Sequence, residues 1–93
     1  MIQSFADART LKVWERERVS KFAPDLQRRA HIKLLMLNRA VTLQDLRVPP
    51  GNMLEQLRGD RAGQYSIRIN RQWRICFEWD PAGPTHVEIV DYH

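Results

Sequence analysis

Three titratable side chains, Asp91, Tyr92 and His93, follow the apolar run of the segment VEIVDYH. An imidazole or a carboxylate can take up and release protons during a reaction, and a phenol can orient a phosphate or stack on a base. Arg74, in the segment QWRICFEW, adds a guanidinium group whose planar fork pairs with phosphate. These side-chain types fit the cleavage of RNA by its own ribose 2′-OH, which in principle needs no metal ion.

That reaction sets three tasks for a protein. A base removes the hydroxyl proton, cations stabilise the charge that develops around the phosphorus, and an acid protonates the leaving 5′-oxygen. Arg74 suits the second task, whereas His93 and Asp91 suit the other two. Structural alternatives exist for all of them. His93 could be a frayed terminal residue, and Asp91 could pair with a neighbouring arginine. Tyr92 could be a half-buried ring, and Arg74 a solvated strand charge.

The composition is basic and rich in arginine. Fifteen Lys+Arg stand against eleven Asp+Glu, which gives a formal charge of +4, and lysine occurs only at Lys12, Lys21 and Lys33. Because arginine pairs with phosphate, this excess favours a polyanionic partner such as nucleic acid. The alternative is a basic surface that only keeps the protein soluble.

Several classes of site find no support in the sequence. His31, His86 and His93 are widely separated, so we expect neither a metal nor another cofactor. Cys76 is the only cysteine and can form no internal disulfide, which favours a cytoplasmic location. We find no glycine-rich phosphate loop, nucleophile elbow or signal-peptide segment, and no apolar stretch that could span a bilayer.

The first half of the chain is predicted to be helical after a short strand at IQSF. Asp7 is a suitable N-cap for a first helix that runs to about Arg18. Pro24 suits the first turn of a second helix, which the tandem prolines of RVPPG must end. Apolar residues recur along that helix at a spacing that predicts one buried stripe: Leu26, Ala30, Leu34, Leu37 and Val41.

The second half alternates between apolar and polar residues, as strands do. In WRICFEW, residues 73–79, the aromatic and aliphatic side chains share one face and Arg74, Cys76 and Glu78 share the other. QYSIRIN and THVEIVDY are predicted as the neighbouring strands. We therefore predict one α+β domain over residues 1–93, with two N-terminal helices packed on one face of a twisted antiparallel sheet that becomes mixed through the N-terminal strand.

The segments LRGDRAGQYSIRINRQWRICFEW and VEIVDYH together resemble the HigB-type toxins of bacterial toxin–antitoxin pairs, in the RelE/ParE superfamily. The similarity runs from MIQSF to the final histidine, and PPGNMLEQLRGDRAG resembles especially the subgroup that includes the GraT toxin. The resemblance implies a RelE-like microbial-RNase fold, with two N-terminal helices on one face of an antiparallel sheet. This agrees with the fold predicted from periodicity.

The resemblance also assigns roles to individual residues. Arg74 matches the phosphate-binding arginine of the family's WRI segment, and Asp91, Tyr92 and His93 match its C-terminal catalytic group. Two further arginines are candidate contacts to RNA, with solvated charges as the alternative: Arg61 and Arg68.

Two positions depart from the family's pattern. Glu55 stands where HigB-type toxins often have histidine, and Arg58 stands where they have lysine. Because arginine stays charged, Arg58 is expected to hold phosphate and not to act as a base. Glu55 is either an acid–base group or, as we prefer, an ion-pair partner of Arg58. With these departures we expect a weak RNase.

The function implied is that of the toxin in a HigBA-like pair, a ribosome-dependent endoribonuclease. Such a toxin cleaves mRNA in the ribosomal A site, inhibits translation and growth, and is neutralised by a HigA-type helix-turn-helix antitoxin. We expect a toxin monomer within a hetero-oligomeric complex that contains an antitoxin dimer, and no membrane partner. The alternative is a ParE-like inhibitor of DNA gyrase without nuclease activity, because ParE-like relatives share the fold. A third possibility is a non-toxic protein that only binds an antitoxin.

Overall fold

A computed structural model describes residues 1–92, which form two α-helices and a four-stranded antiparallel sheet. The elements are α1 (Ala8–Trp14), α2 (Pro24–Arg39), β1 (Glu55–Gln56), β2 (Gln64–Arg68), β3 (Trp73–Asp80) and β4 (Gly83–Asp91). The strands lie in the sheet in chain order, β1-β2-β3-β4, and each neighbouring pair is antiparallel. The predicted α+β class, with helices first and an antiparallel meander after them, is confirmed.

Helix α1 begins where the sequence predicts and ends earlier. The carboxylate of Asp7 accepts a hydrogen bond from the backbone N–H of Thr10 at 2.9 Å, as an N-cap does. The helix ends at Trp14 and not near Arg18, because Arg16 adopts the left-handed conformation with φ 63°. Capping of this kind satisfies the last carbonyls of a helix and reverses the chain direction.

Helix α2 begins with Pro24 in its first turn and buries the predicted apolar stripe up to Leu37. Val41 was expected to complete the stripe, and this was wrong, because the helix ends at Arg39 and Val41 is 84% exposed. The Asp45 carboxylate accepts hydrogen bonds from the backbone N–H groups of Val41 and Thr42. The bond from Thr42 belongs to the capping box of a 3₁₀ helix at Leu43–Arg47, so this segment starts a new element.

The predicted alternation of the strands is confirmed on the face that meets the helices. Five β-strand side chains on this face are almost fully buried together with the apolar side of α2: Ile67, Ile75, Phe77, Val87 and Ile89. Trp73 and Trp79 are partly buried against the same core. Burial of such side chains provides most of the driving force for packing helices on a sheet.

The predicted N-terminal strand forms a single parallel bridge between Phe5 and Val87. Backbone hydrogen bonds from Ala6 N–H to the Val87 carbonyl and from Val87 N–H to the Ser4 carbonyl support it. The sheet is therefore mixed only at this bridge in residues 1–92. None of the helices in that range is long and apolar enough to cross a membrane.

A buried threonine connects α1 to the last strand. Thr10 is fully buried, and its Oγ1 accepts a hydrogen bond from the backbone N–H of Ile89 at 3.0 Å. This bond satisfies a strand N–H group that lies under the helix, where water has no access. Thr10 therefore fixes α1 on the strand that leads to the C-terminal segment.

Replacing this threonine tests its role in the fold. Thr10→Val keeps the shape of the side chain but leaves the buried Ile89 N–H without an acceptor, so the free energy of unfolding should fall by about 1–3 kcal/mol. Urea unfolding measures this change. Thr10→Ser keeps the oxygen and loses only a methyl group, and it serves as the control. A valine variant as stable as the serine variant would contradict the proposed role.

Candidate active site

The face of the sheet turned away from α1 and α2, here called the outer face, carries most of the candidate site residues. The strand register gives three rows across it, and two of them carry the candidate residues. One row runs from Glu55 through Ser66 and Cys76 to Glu88, and the next runs from Arg68 through Arg74 to Val90. Side chains in one row, or in adjacent rows, are close enough to interact.

Arg74 is at the centre of the outer face and is only 7% exposed. Its Nε donates to Ser66 Oγ at 2.7 Å, and its Nη2 donates to the Met53 carbonyl at 2.6 Å and more weakly to the Ser66 carbonyl at 3.4 Å. The alternative of a solvated strand charge is therefore wrong. Two of the three guanidinium nitrogens are held by the protein, which fixes the plane of the group.

The remaining nitrogen of the Arg74 guanidinium, Nη1, lies near a carboxylate. Nη1 lies 3.8 Å from Glu55 Oε1, and the Glu55 side chain is 49% exposed. The sequence favoured Arg58 as the partner of Glu55, but the cross-strand register brings Glu55 to Ser66 and so beside Arg74. A pair at this distance is weak and open to competition from another anion.

A short loop positions the carbonyl that holds Arg74. Met53 follows the 3₁₀ helix Pro50–Asn52 and adopts φ 46°, in the left-handed region. Asn52 is fully buried, and its Nδ2 donates to the Leu46 carbonyl at 3.1 Å. Its Oδ1 accepts from Lys33 Nζ on α2 at 2.5 Å. Helix α2 is therefore linked to Arg74 by a short series of contacts. Lys33 of α2 bonds Asn52, and the next residue, Met53, accepts a hydrogen bond from Arg74 with its carbonyl.

Sequence reasoning missed Ser66, which bonds Arg74 directly, and Asn52, which fixes the loop whose Met53 carbonyl also bonds Arg74. Ser66 faces the same side of the sheet as Arg74, and this alternation was visible in the sequence. Nothing in the sequence, however, indicated that the loop after the tandem prolines folds back onto β3. The only local signal for Asn52 is its place after PPG, where a polar residue usually belongs to an exposed turn.

Arg61 spans the outer face from the side of β2 to β4. Its Nη1 donates to Gln64 Oε1 at 2.9 Å and lies 3.4 Å from Glu88 Oε1. The buried thiol of Cys76 lies in the same region, between Ser66 and Glu88 in the register. Burial raises the pKa of Cys76, an effect that the charge of Arg61 opposes and that of Glu88 reinforces. The thiol is therefore a small neutral side chain at this site.

Arg58 and Arg68 lie at the margin of the outer face. Arg58 is exposed at the start of the 3₁₀ helix Gly59–Arg61, and it makes no side-chain hydrogen bond or ion pair within residues 1–92. Arg68 is partly buried and pairs in register with Arg74, and its Nε donates to the Asn70 carbonyl at 3.0 Å. The structure thus brings Arg61, Arg68 and Arg74 onto one face.

Two of the C-terminal candidates, Asp91 and Tyr92, lie at the rim of the sheet. Asp91 is opposite Trp73 in the register, which places it on the helix side and not in the row of Arg74. Its Oδ2 accepts a hydrogen bond from Gln72 Nε2 at 3.1 Å, and the backbone N–H of Tyr92 donates to the Gln72 carbonyl at 2.6 Å. Tyr92 is 40% exposed. His93 lies outside the described residues.

The described residues contain no cluster that suggests a metal centre. Within residues 1–92, no three His, Cys, Asp or Glu side chains lie close enough together to hold an ion. The charged groups that the outer face does gather are arginines and three glutamates, Glu55, Glu78 and Glu88. Such a surface can hold a phosphodiester by hydrogen bonds and charge.

Comparison with known proteins identifies the family. The family model described as the RelE-like toxin of type II toxin–antitoxin system HigB matches residues 3–93. Toxin HigB-1 of Vibrio cholerae is 49% identical over 47 residues, which are 50% of this chain and 50% of that protein. An uncharacterized protein of Haemophilus influenzae is 36% identical over 61 residues, 66% of this chain and 60% of that protein. The matched part of the chain spans only 50–60% of the length of these curated relatives.

Solved structures agree with the fold. A YoeB–YefM complex from Staphylococcus aureus gives a TM-score of 0.63 with 15% identity, covering 100% of this chain and 98% of that one. A heterotetrameric YoeB–YefM toxin–antitoxin complex from the same organism gives the same values. At this identity the likeness concerns the fold alone. The match to the family model confirms the predicted resemblance, and the chain belongs to the HigB-like family of RelE-like toxins of type II toxin–antitoxin systems.

Proposed function

We propose that the protein is the toxin of a HigBA-like pair and a metal-independent endoribonuclease that cleaves mRNA on the ribosome. Membership of the family supports the toxin role. The observation that supports the nuclease is Arg74, whose Nε and Nη2 are held by Ser66 and Met53 and whose Nη1 lies near the weakly bound Glu55. A fixed cation with one displaceable partner is suited to binding a phosphate as charge develops on it.

In this proposal the scissile phosphate binds at Nη1 of Arg74 and displaces the Glu55 carboxylate. The exposed Arg58 supplies a second charge from the margin of the face. Arginine side chains suit the stabilisation of negative charge and not proton transfer, so these two residues are assigned to charge stabilisation. Arg61 and Arg68 contact the RNA strand on either side.

Proton transfer is assigned to the C-terminal group. We propose that His93 exchanges protons with the ribose 2′-OH or the leaving 5′-oxygen, and that Asp91 assists it from the rim of the sheet. Tyr92 orients the substrate. Since Arg58 replaces a residue that could lose a proton, fewer groups can serve as base or acid, and the expected cleavage is slow.

The proposed partners follow from the family. They are a HigA-type helix-turn-helix antitoxin, the ribosomal A site and mRNA, in the cytoplasm. In the inhibited state a toxin monomer belongs to a hetero-oligomeric complex with an antitoxin dimer.

Substitution of Arg74 tests the phosphate site. Arg74→Lys keeps the charge but cannot bond Ser66 and Met53 at once, so translation-dependent mRNA cleavage should fall about a hundredfold. Ser66→Ala removes one support and should reduce cleavage less. Cleavage is followed in a translation extract by mapping mRNA ends, and thermal unfolding verifies that each variant is folded. The exposed Arg47→Lys is the matched control. Full cleavage by a folded Arg74→Lys variant would rule out this phosphate site.

Removal of the last residue tests the proton-transfer assignment. Deleting His93, or replacing it in His93→Gln, should slow cleavage by a factor of about 10²–10⁴, the usual contribution of a general acid or base. The same preparations are assayed for inhibition of DNA supercoiling by gyrase. Unchanged cleavage by both variants would remove His93 from the mechanism, and gyrase inhibition without mRNA cleavage by the wild type would favour the ParE-like alternative.

A further inference from the structure

A basic cleft lies beside the outer face, between α2 and the turn that joins β2 to β3. Four cationic side chains line it, and no carboxylate belongs to the lining within residues 1–92: Arg29, Lys33, Arg68 and Arg71. Asn70 and Gln72 add amide groups to the same lining. Cations and amides from separate elements, gathered in one concave place, form a site suited to an anion.

The positive charge in this cleft is concentrated and only partly compensated. Arg29 and Lys33 are one helical turn apart on α2, where like charges repel. Burial lowers the pKa of Lys33, and the charge of Arg29 lowers it further. Arg29 has one distant partner, with its Nε 3.8 Å from Asp25 Oδ2, while Asp25 makes its shorter contact of 3.0 Å to Arg28. An anion bound in the cleft would relieve this repulsion.

Several donors in the cleft remain available to a ligand. Lys33 uses one of the three N–H bonds of its ammonium on Asn52 Oδ1. Arg71 is exposed and makes no side-chain hydrogen bond or ion pair in the described part of the chain. Arg68 commits Nε to the Asn70 carbonyl, and this bond holds the side chain in place between the two regions.

Arg68 connects the cleft to the outer face. It lines the cleft, and it also pairs in register with Arg74 on the neighbouring strand. Directly opposed residues of antiparallel strands have Cβ atoms about 4.5–5.5 Å apart. A continuous line of positive groups therefore leads from Arg74 through Arg68 to Arg29, Lys33 and Arg71.

We propose that this cleft binds a backbone phosphate of the same RNA strand whose scissile phosphate lies at Arg74. The inference rests on the proposed function, since it adds a second phosphate subsite to that active site. Contacts to backbone phosphates position a strand without reading its sequence. The cleft would therefore set the direction in which the RNA crosses the outer face and would contribute to affinity equally for all sequences.

The test compares two double variants that remove the same amount of charge. Arg29→Gln with Arg71→Gln changes exposed residues of the cleft and leaves Lys33 and Arg68 in place. The matched control, Lys12→Gln with Arg39→Gln, changes exposed residues on α1 and α2 that do not line the cleft. Thermal unfolding should be similar for both variants, because neither one alters the core.

Binding is measured with a single-stranded 2′-O-methyl RNA, which lacks the attacking hydroxyl and cannot be cleaved. For each protein the dissociation constant is determined at several salt concentrations. Loss of one phosphate contact should reduce the slope of log affinity against log salt by about 0.7 for a single strand. We expect this reduction in the Arg29→Gln, Arg71→Gln variant and the wild-type slope in the control. Equal slopes in the two variants would overturn the proposal, as would an absence of RNA binding by the wild type.

This measurement is independent of catalysis, so the two proposals can fail separately. If the wild type cleaves no mRNA in translation but the cleft variant alone shows the reduced salt slope, the nuclease proposal fails and the phosphate subsite stands. If the cleft variant cleaves mRNA and binds RNA as the control does, the subsite proposal fails and the nuclease proposal stands.

Discussion

The burial of Arg74 is the constraint on which the outer face depends. A charged guanidinium with 7% exposure is stable inside a protein only when its hydrogen bonds and its charge are satisfied. Ser66 supplies a hydroxyl, Met53 a carbonyl and Glu55 a distant carboxylate, and each comes from a different segment of the chain. Removing any of them would leave a buried charge short of partners, so β1, β2 and the loop before β1 are constrained together.

Because Arg74 needs the Met53 carbonyl, the hydrogen bond between Lys33 of α2 and Asn52 also affects the outer face of the sheet. Met53 offers its carbonyl to Arg74 because the preceding residue, Asn52, is held by the Leu46 carbonyl and by Lys33. Buried polar networks of this type fix one arrangement when every member is satisfied. Lys33 therefore has two roles: its ammonium group bonds Asn52 in the loop before β1, and its side chain also lines the basic cleft.

The sequence was a good guide to what depends on periodicity. Alternation in WRICFEW assigned Phe77 to the core and Arg74 to the other face, and the structure confirms both. The burial of Arg74 could not be predicted from this alternation. Met53, whose carbonyl bonds Arg74, belongs to a loop more than twenty residues away along the chain. The partner of Glu55 was missed for a related reason. The strand register places Glu55 beside Arg74, and no local sequence pattern fixes the register of a two-residue strand. The end of α1 depended on the left-handed conformation of Arg16, which β-carbon sterics disfavour.

The register also places two like charges side by side, since Arg68 lies directly opposite Arg74. Such a cross-strand pair is destabilising in an isolated sheet. Glu55 near Arg74 and Glu88 near Arg61 moderate the repulsion without cancelling it, because their contacts are 3.8 and 3.4 Å long and the two glutamate side chains are 49% and 31% exposed. A fold optimised for stability alone would separate the arginines or pair them more closely. A bound polyanion would explain why the arginines share one face, because it would complete the charge balance. A phosphodiester can replace the weak carboxylate contacts with direct hydrogen bonds to the arginines.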